Sequence, residues 1–303
     1  MRAISAEVNG EPRALAKFAA SRLPKASQGS IFTGAGDSYA SALAGFYASE
    51  GRCIALDPYS LGSNPEIARG RDVFFISVSG KTASNVAAAR KVARTARRTT
   101  ALTADATSPL VKLTDRAVIL PMRYVPKTPG MLSFCLSLLA VVRMAGSGAL
   151  SDFQSVFKSA VRDRSMIASG TGTTYFLGNG LVYPAALYAA AKEYEFFGTK
   201  AHAELVEEFS HLELFSLGEK DVVNIFTASD PDGVGPKLAQ SLGWAGYQAR
   251  VVPCRGGTEV ERLFHAVFVA QLAVLDRAGR AGIHAPRFLA SGTRLKVSDS
   301  MIY

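Results

Sequence analysis

The chain has 303 residues, 48% of them hydrophobic and 19% charged, a balance that excludes a long disordered polypeptide and predicts two domains with real cores. The formal net charge is +9, and the excess sits in residues 1–150, which carry 19 Lys and Arg against 9 Asp and Glu, while residues 151–303 carry 15 against 16. Three scattered cysteines, Cys53, Cys135 and Cys254, exclude a disulfide framework and a close-spaced zinc site, so reduced, buried thiols and no metal are expected.

Residues 1–27 read as a helical lead without the apolar core of a signal peptide. From 28 to 147, short apolar runs bounded by turn residues predict strands at Ile31–Thr33, Cys53–Leu56, Val73–Val78, Thr99–Thr103 and Ala117–Pro121. Ala-rich segments of helical period, such as 38–49 and 82–97, lie between them. Strands alternating with helices predict a parallel sheet covered on both faces, hence an α/β fold. The second helix ends in a basic cluster, Arg90, Lys91, Arg94, Arg97 and Arg98. Without interleaved aromatics or a nucleic-acid motif, it reads as a solvated face, and no nucleic-acid partner is expected. The positive field also suits small phosphorylated anions. The longest apolar stretch, near 131–146, is broken by Ser133, Ser137 and Arg143, so no membrane span is expected and a cytoplasmic location is. Residues 148–172 read as a helical linker. The pattern restarts over 173–281, with strands at Thr174–Leu177, Val222–Thr227 and Ala249–Pro253 and a helix over Tyr183–Phe197; a tail follows at 282–303.

Two loops of the first domain suit an anion. Gly34-Ala-Gly36-Asp-Ser38-Tyr39 follows a strand and opens a helix, where backbone N–H groups and the helix dipole favour negative charge. Tyr39 stands where a dinucleotide fingerprint needs its third glycine, so no nicotinamide cofactor is expected. In the second loop, Ser77-Val78-Ser79-Gly80-Lys81-Thr82, three hydroxyls surround a glycine at a helix start. Phe75 occupies the first glycine position of a P-loop, which excludes that motif. Plain helix capping by Ser79 and Thr82 is the competing structural explanation.

Together the two loops resemble the phosphate loops of sugar-isomerase (SIS) domains, whose second loop commonly reads Ser-x-Ser-Gly-Glu-Thr. The resemblance implies phosphate contacts from Gly36, Ser38, Ser77, Ser79 and Thr82 with the Val78 backbone, and Lys81 in place of the usual Glu adds positive charge. The matching loop of the second domain, from Thr227 to Gly233, carries two acids instead of the hydroxyl pattern, so one phosphate site per chain is expected.

On the helix from Tyr183, Lys192 and Glu195 stand three apart and share a face, as either a solvated pair or a functional one. Further on, Glu208 and His211 repeat the spacing. The run Leu177-Gly-Asn-Gly, Tyr183-Pro, Lys192, Glu195, Glu208 and His211 resembles, without a gap, the second domain in the isomerase half of glucosamine-fructose-6-phosphate synthases. That resemblance implies a tandem pair of SIS-type three-layer αβα sandwiches with flavodoxin-like parallel sheets. It makes Glu195 the base moving a proton between C1 and C2, His211 the group that opens the sugar ring, and Lys192 the nearby charge. It also implies a homodimer in which the histidine comes from the partner subunit, a sugar phosphate as ligand, and no cofactor.

Two departures qualify the likeness. Pro286-Arg-Phe-Leu-Ala-Ser291 ends in serine where the family carries lysine, so tail contacts are expected from Ser291 and Lys296. Residues 122–128 also lack the synthases' acidic residue and their Ser-Thr-Lys run. No amidotransferase segment precedes the first domain, so ammonia drawn from glutamine is not expected. The reading is isomerisation of a hexose or hexosamine 6-phosphate, with or without deamination of glucosamine 6-phosphate to fructose 6-phosphate. The alternative is a non-catalytic sugar-phosphate-binding regulator.

Overall fold

The computed structural model describes residues 1–146, 152–228, 230 and 232–303. The first part of the chain forms helix α1 (Arg2–Ala19), then β1 (Ile31–Thr33), α2 (Asp37–Ala48), β2 (Ile54–Leu56), α3 (Pro58–Ser63), β3 (Asp72–Ile76), α4 (Ala83–Val92), β4 (Arg98–Thr103), α5 (Pro109–Leu113), β5 (Arg116–Ile119) and α6 (Leu132–Met144). The second part contains α7 (Phe153–Asp163), β6 (Thr174–Gly178), α8 (Tyr183–Phe197), β7 (Ala201–Glu204), α9 (Val206–His211), β8 (Val222–Thr227), α10 (Val234–Trp244), β9 (Gln248–Pro253), α11 (Glu259–Arg280) and α12 (Gly292–Ile302).

All strand pairs are parallel. One sheet has the order β2-β1-β3-β4-β5 and the other β7-β6-β8-β9, so the two repeat one winding. Two compact units result: Met1–Arg13 with Leu150–Ala290, and Ala14–Ala149 with Ser291–Tyr303. We call the second of these the N-terminal unit and the first the C-terminal unit. The α/β class with two three-layer sandwiches is therefore as the alternation of strands and helices predicts.

In the N-terminal unit, β3 is buried at every residue, as a central parallel strand covered on both faces must be. Ile31, Val73, Phe75 and Ala101 pack on Ala88, Ala89 and Val92 of α4. On the other face Phe32 and Phe74, cross-strand partners, stack at 5.0 Å. A Cβ on Gly45 of α2 would come within 2.7 Å of Phe32 and Val141, so glycine there allows α2 to approach both β1 and α6. In the C-terminal unit, Tyr175, Leu177, Val223 and Ile225 pack on α9 and α10 through Val206, Phe209 and Leu242. Behind the sheet, Phe153 and Phe157 of α7 meet Phe264 and Phe268 of α11 edge to face. Each such buried ring contributes on the order of 2 kcal/mol.

Three local expectations change. The helix expected over 82–97 stops at Val92, and the basic cluster does not share one helical face. Lys91 donates to the Gly62 carbonyl at 2.9 Å, Arg97 pairs with Asp72 at 2.5 Å, and Arg98 begins β4. Strand β7, Ala201-His-Ala-Glu204, has no apolar run to announce it. Its alternating burial comes from edge pairing with β6. The tail contains a further helix, α12, which packs in the N-terminal unit, where Lys127 pairs with Asp299 at 2.9 Å. The cysteines are buried free thiols. Part of the expected linker, residues 148–151, lies outside the described residues. No helix among the described residues is long and apolar enough to cross a membrane.

Candidate functional site

Strand order decides where a ligand can sit. In the sheet of the N-terminal unit, β1 lies between β2 and β3, and the chain leaves β1 and β3 toward opposite edges. The crevice outside their carboxyl ends is the switch point at which open parallel sheets bind ligands. The two candidate loops, one after β1 and one after β3, flank that crevice.

After β3 the chain turns sharply. The Gly80 amide donates to the Ser77 carbonyl at 2.9 Å, and Gly80 has φ +61°, where a Cβ would also collide with the Ser108 side chain. Ser77 and Ser79 are buried, and Ser77 Oγ and Thr82 Oγ1 lie 3.2 Å apart. Thr82 occupies the N-cap position of α4, yet its side chain makes no capping bond. Ser79 Oγ accepts from the Lys81 amide at 3.2 Å. Capping therefore does not explain Thr82, and the hydroxyls gather around the loop rather than along the helix. The Val78 carbonyl is anchored by Thr103 Oγ1 and by the Ala104 amide, both at 3.0 Å. Lys81 does not present an uncompensated charge, because its ammonium lies 3.3 Å from Asp105. Hydrogen bonds from Thr107, with a smaller contribution from Lys81, hold the Asp105 carboxyl below its ordinary value.

At the other loop, Gly36 takes φ +59° and is exposed just before α2. Ser38 is half-buried, and a Cβ on Gly34 would lie 2.6 Å from its Cβ, so glycine at 34 is required by close approach. Sequence reasoning missed Thr103, Ser108 and Tyr124. The buried Ser108 Oγ has no hydrogen-bond partner among the described residues. The Tyr124 phenol is pushed up to about 12, first by burial and then by Tyr303, and it interacts with the Ser79 side chain. None of the three belongs to a local motif; β4 and the segments after it bring them to the loop. Of the tail residues, Ser291 caps α12 by accepting from the Arg294 amide at 3.4 Å, and Lys296 is exposed on that helix.

In the C-terminal unit the corresponding loop after β8 is already filled by protein. Asp230 Oδ1 and Oδ2 accept from the Val234 and Gly235 amides at 2.9 and 2.8 Å, so a carboxylate occupies the first turn of α10. Ser229 and Pro231 of that loop lie outside the described residues.

Helix α8 starts with Pro184 in its first turn and ends at Gly198 in the left-handed region, the usual asymmetry of helix ends. Its alanines let it pack closely, and Lys192 is 0% exposed. The Lys192 ammonium lies 2.7 Å from Glu195 Oε2 and 4.7 Å from the centre of the Tyr188 ring. Glu195 keeps 29% of its side chain exposed. Behind this pair, Gln271 Nε2 donates to Tyr188 Oη at 3.1 Å and to Glu11 Oε1 at 3.2 Å. The buried ammonium fixes the position of this partly accessible carboxylate. Glu11, Tyr188 and Gln271 were not anticipated, because they come from three helices.

His211 ends α9 with its side chain 69% exposed, and it pairs with Glu207 at 3.1 Å. Glu208 is exposed. The structure thus brings Lys192 and Glu195 together and gives His211 a different partner. Leu212 and Phe215 beside His211 are exposed, Phe215 by 84%.

No family model matches the sequence, and no curated protein does. Solved structures do match in fold. A glucosamine-6-phosphate deaminase from Thermotoga maritima superposes with a TM-score of 0.74 at 21% identity, covering 92% of this chain and 95% of that one. The C-terminal domain of a glucosamine-fructose-6-phosphate aminotransferase from Francisella tularensis gives 0.72 at 16%, covering 93% and 97%. A tagatose-6-phosphate ketose/aldose isomerase from Escherichia coli gives 0.69 at 18%, covering 92% and 93%. The architecture is thus one shared with phosphosugar isomerases and a deaminase.

Proposed function

We propose that this chain is a phosphosugar isomerase of tandem SIS type, acting on a hexose or hexosamine 6-phosphate in the cytoplasm. The observation that carries the reading is the fully buried Lys192 bonded to a partly accessible Glu195 on α8. A buried ammonium is expensive unless it serves its partner, and here the partner is the carboxylate that can reach a substrate. The phosphate is held by Gly36, Ser38, Ser77, the Val78 backbone, Ser79 and Thr82. In support, Thr82 and Ser77 direct their hydroxyls to each other instead of capping α4.

In this mechanism His211 of the partner subunit opens the ring by moving a proton from the C1 hydroxyl to the ring oxygen. Glu195 removes the proton on C2 of the open aldehyde, giving an enediolate charged on O1, and the proton of the C2 hydroxyl moves to O1, which leaves the charge on O2. Return of that proton to C1 gives the ketose. With an amine on C2 the same transfer leaves a ketimine. Addition of water and departure of ammonia then give fructose 6-phosphate. The exposed Leu212 and Phe215 favour the dimer, since apolar side chains clustered beside a functional histidine suit an interface.

One feature favours a second reading, a sugar-phosphate-binding regulator: the serine standing where the synthases carry a lysine is used as a helix cap. Parallel assays of fructose 6-phosphate formation from glucosamine, glucose and mannose 6-phosphates separate the two. Turnover with ammonia selects the deaminase and turnover without ammonia the isomerase, whereas tight binding without turnover selects the regulator. Glu195→Gln retains an acceptor for Lys192 and is expected to abolish exchange of the C2 proton with solvent. Retained exchange removes Glu195 from the mechanism.

A further inference from the structure

A cavity lies within the C-terminal unit and shares no residue with either loop or with the Lys192–Glu195 pair. It encloses about 500 Å³ counting its mouth, between β6, α8, α11 and the segment after α7. Ala189 of α8 faces Ala270 and Ala273 of α11 there, and these small side chains leave open the space that larger ones would fill between packed helices. Phe176 and Val274 complete an apolar wall.

The other wall is charged. Glu193 is buried and accepts from Thr199 Oγ1 at 3.0 Å and from Arg277. The Arg277 guanidinium also lies 3.4 Å from the centre of the Phe197 ring, so an acceptor and an aromatic face fix its plane. Glu193 engages one nitrogen of that fork, and Arg277 has no other acceptor among the described residues. Arg164 and Arg280 line the same cavity, which sets three guanidinium groups against the carboxylates of Glu193 and Asp276. Glu193 stands about 200° around α8 from Glu195, so the cavity belongs to a different side of that helix.

We propose that this cavity binds a small organic acid, a carboxylate or phosphate monoester on a short apolar body. The excess of guanidinium N–H groups calls for a planar or tetrahedral anion. The alanine, valine and phenylalanine wall offers no side-chain hydrogen-bonding group, which calls for an apolar substituent on that side of the ligand. A cation finds Glu193 already occupied by two donors.

The test is calorimetric titration of the full chain with phenyl phosphate and with benzoate. Inorganic phosphate and benzyl alcohol each supply only half of the proposed ligand. At least one of the two acids is expected to bind about tenfold or more tightly than either control. Arg280→Gln, at an exposed position that packing does not need, and Ala273→Leu, which fills the space, are each expected to weaken that binding about tenfold. Ser79→Ala with Thr82→Ala is expected to leave one binding equivalent intact, which separates this cavity from the phosphate loop. Binding that survives both cavity variants, that vanishes in the loop variant, or that never exceeds the controls overturns the proposal. Failure here leaves the isomerase reading untouched, since its own test follows the C2 proton.

Discussion

Gly80 is the residue on which the loop after β3 turns. Its positive φ and the Ser108 side chain beside it leave no room for a methyl group. Gly80→Ala is expected to destabilise the fold by about 1–3 kcal/mol and to open the loop, measured as a lower melting temperature together with weaker sugar-phosphate binding. His265 makes a separate prediction about pH. It is fully buried on α11 with Asp163 at 3.2 Å, and burial first of all pushes its imidazole down to about 4, although Asp163 opposes that shift. Between about 4 and the unfolded value near 6.5, the unfolded chain binds the extra proton and the folded chain does not. Stability conferred by the neutral ring is therefore complete above about 6.5 and is lost as pH falls toward 4, by up to roughly 3 kcal/mol. Denaturant unfolding at pH 7 and pH 4.5 checks this, and His265→Gln should flatten the difference.

Among the elements, α8 and α11 show how far local chemistry reaches. Thr258 and Glu261 form a reciprocal capping box at the start of α11, with the Thr258 hydroxyl accepting from the Glu261 amide at 3.2 Å. Thr258→Ala is expected to cost about 1 kcal/mol in equilibrium unfolding, since the 22-residue helix carries much of the core of its unit. Proline and glycine mark both ends of α8, so its span was readable from residues alone. The end of α4 was not, because Lys91 in its last turn and Arg97 beyond it are drawn into bonds with Gly62 and Asp72, groups remote in sequence. Nor was β7, a short edge strand that owes its conformation to pairing with β6.

For the whole molecule, the proposal assigns phosphate binding to one unit and proton transfer to the other. Ser79→Ala with Thr82→Ala is therefore expected to raise KM with little change in kcat, and Glu195→Gln to do the reverse. Steady-state kinetics on both variants read the difference. If the partner subunit supplies His211, an equal mixture of Glu195→Gln and His211→Ala subunits forms mixed dimers with one intact site, recovering about one quarter of native activity from two inactive parents. No recovery after subunit exchange would place both groups in one subunit, or His211 outside the reaction.

The alternation of apolar strands with Ala-rich helices determined the α/β class, because a parallel sheet covered on both faces needs that pattern and no other. Local sequence also marked the hydroxyl-rich turn at 77–82 and the i, i+3 pair at Lys192 and Glu195, since each lies within one turn of chain. Only the tertiary structure decided the strand order that sets the two loops at a switch point. It alone buried Lys192 beside Tyr188, filled the second domain's loop with Asp230, and brought Tyr124 and Ser108 to the first. Those outcomes depend on groups far apart in the chain sharing a small volume, where desolvation and close approach are felt and sequence spacing gives no measure of either.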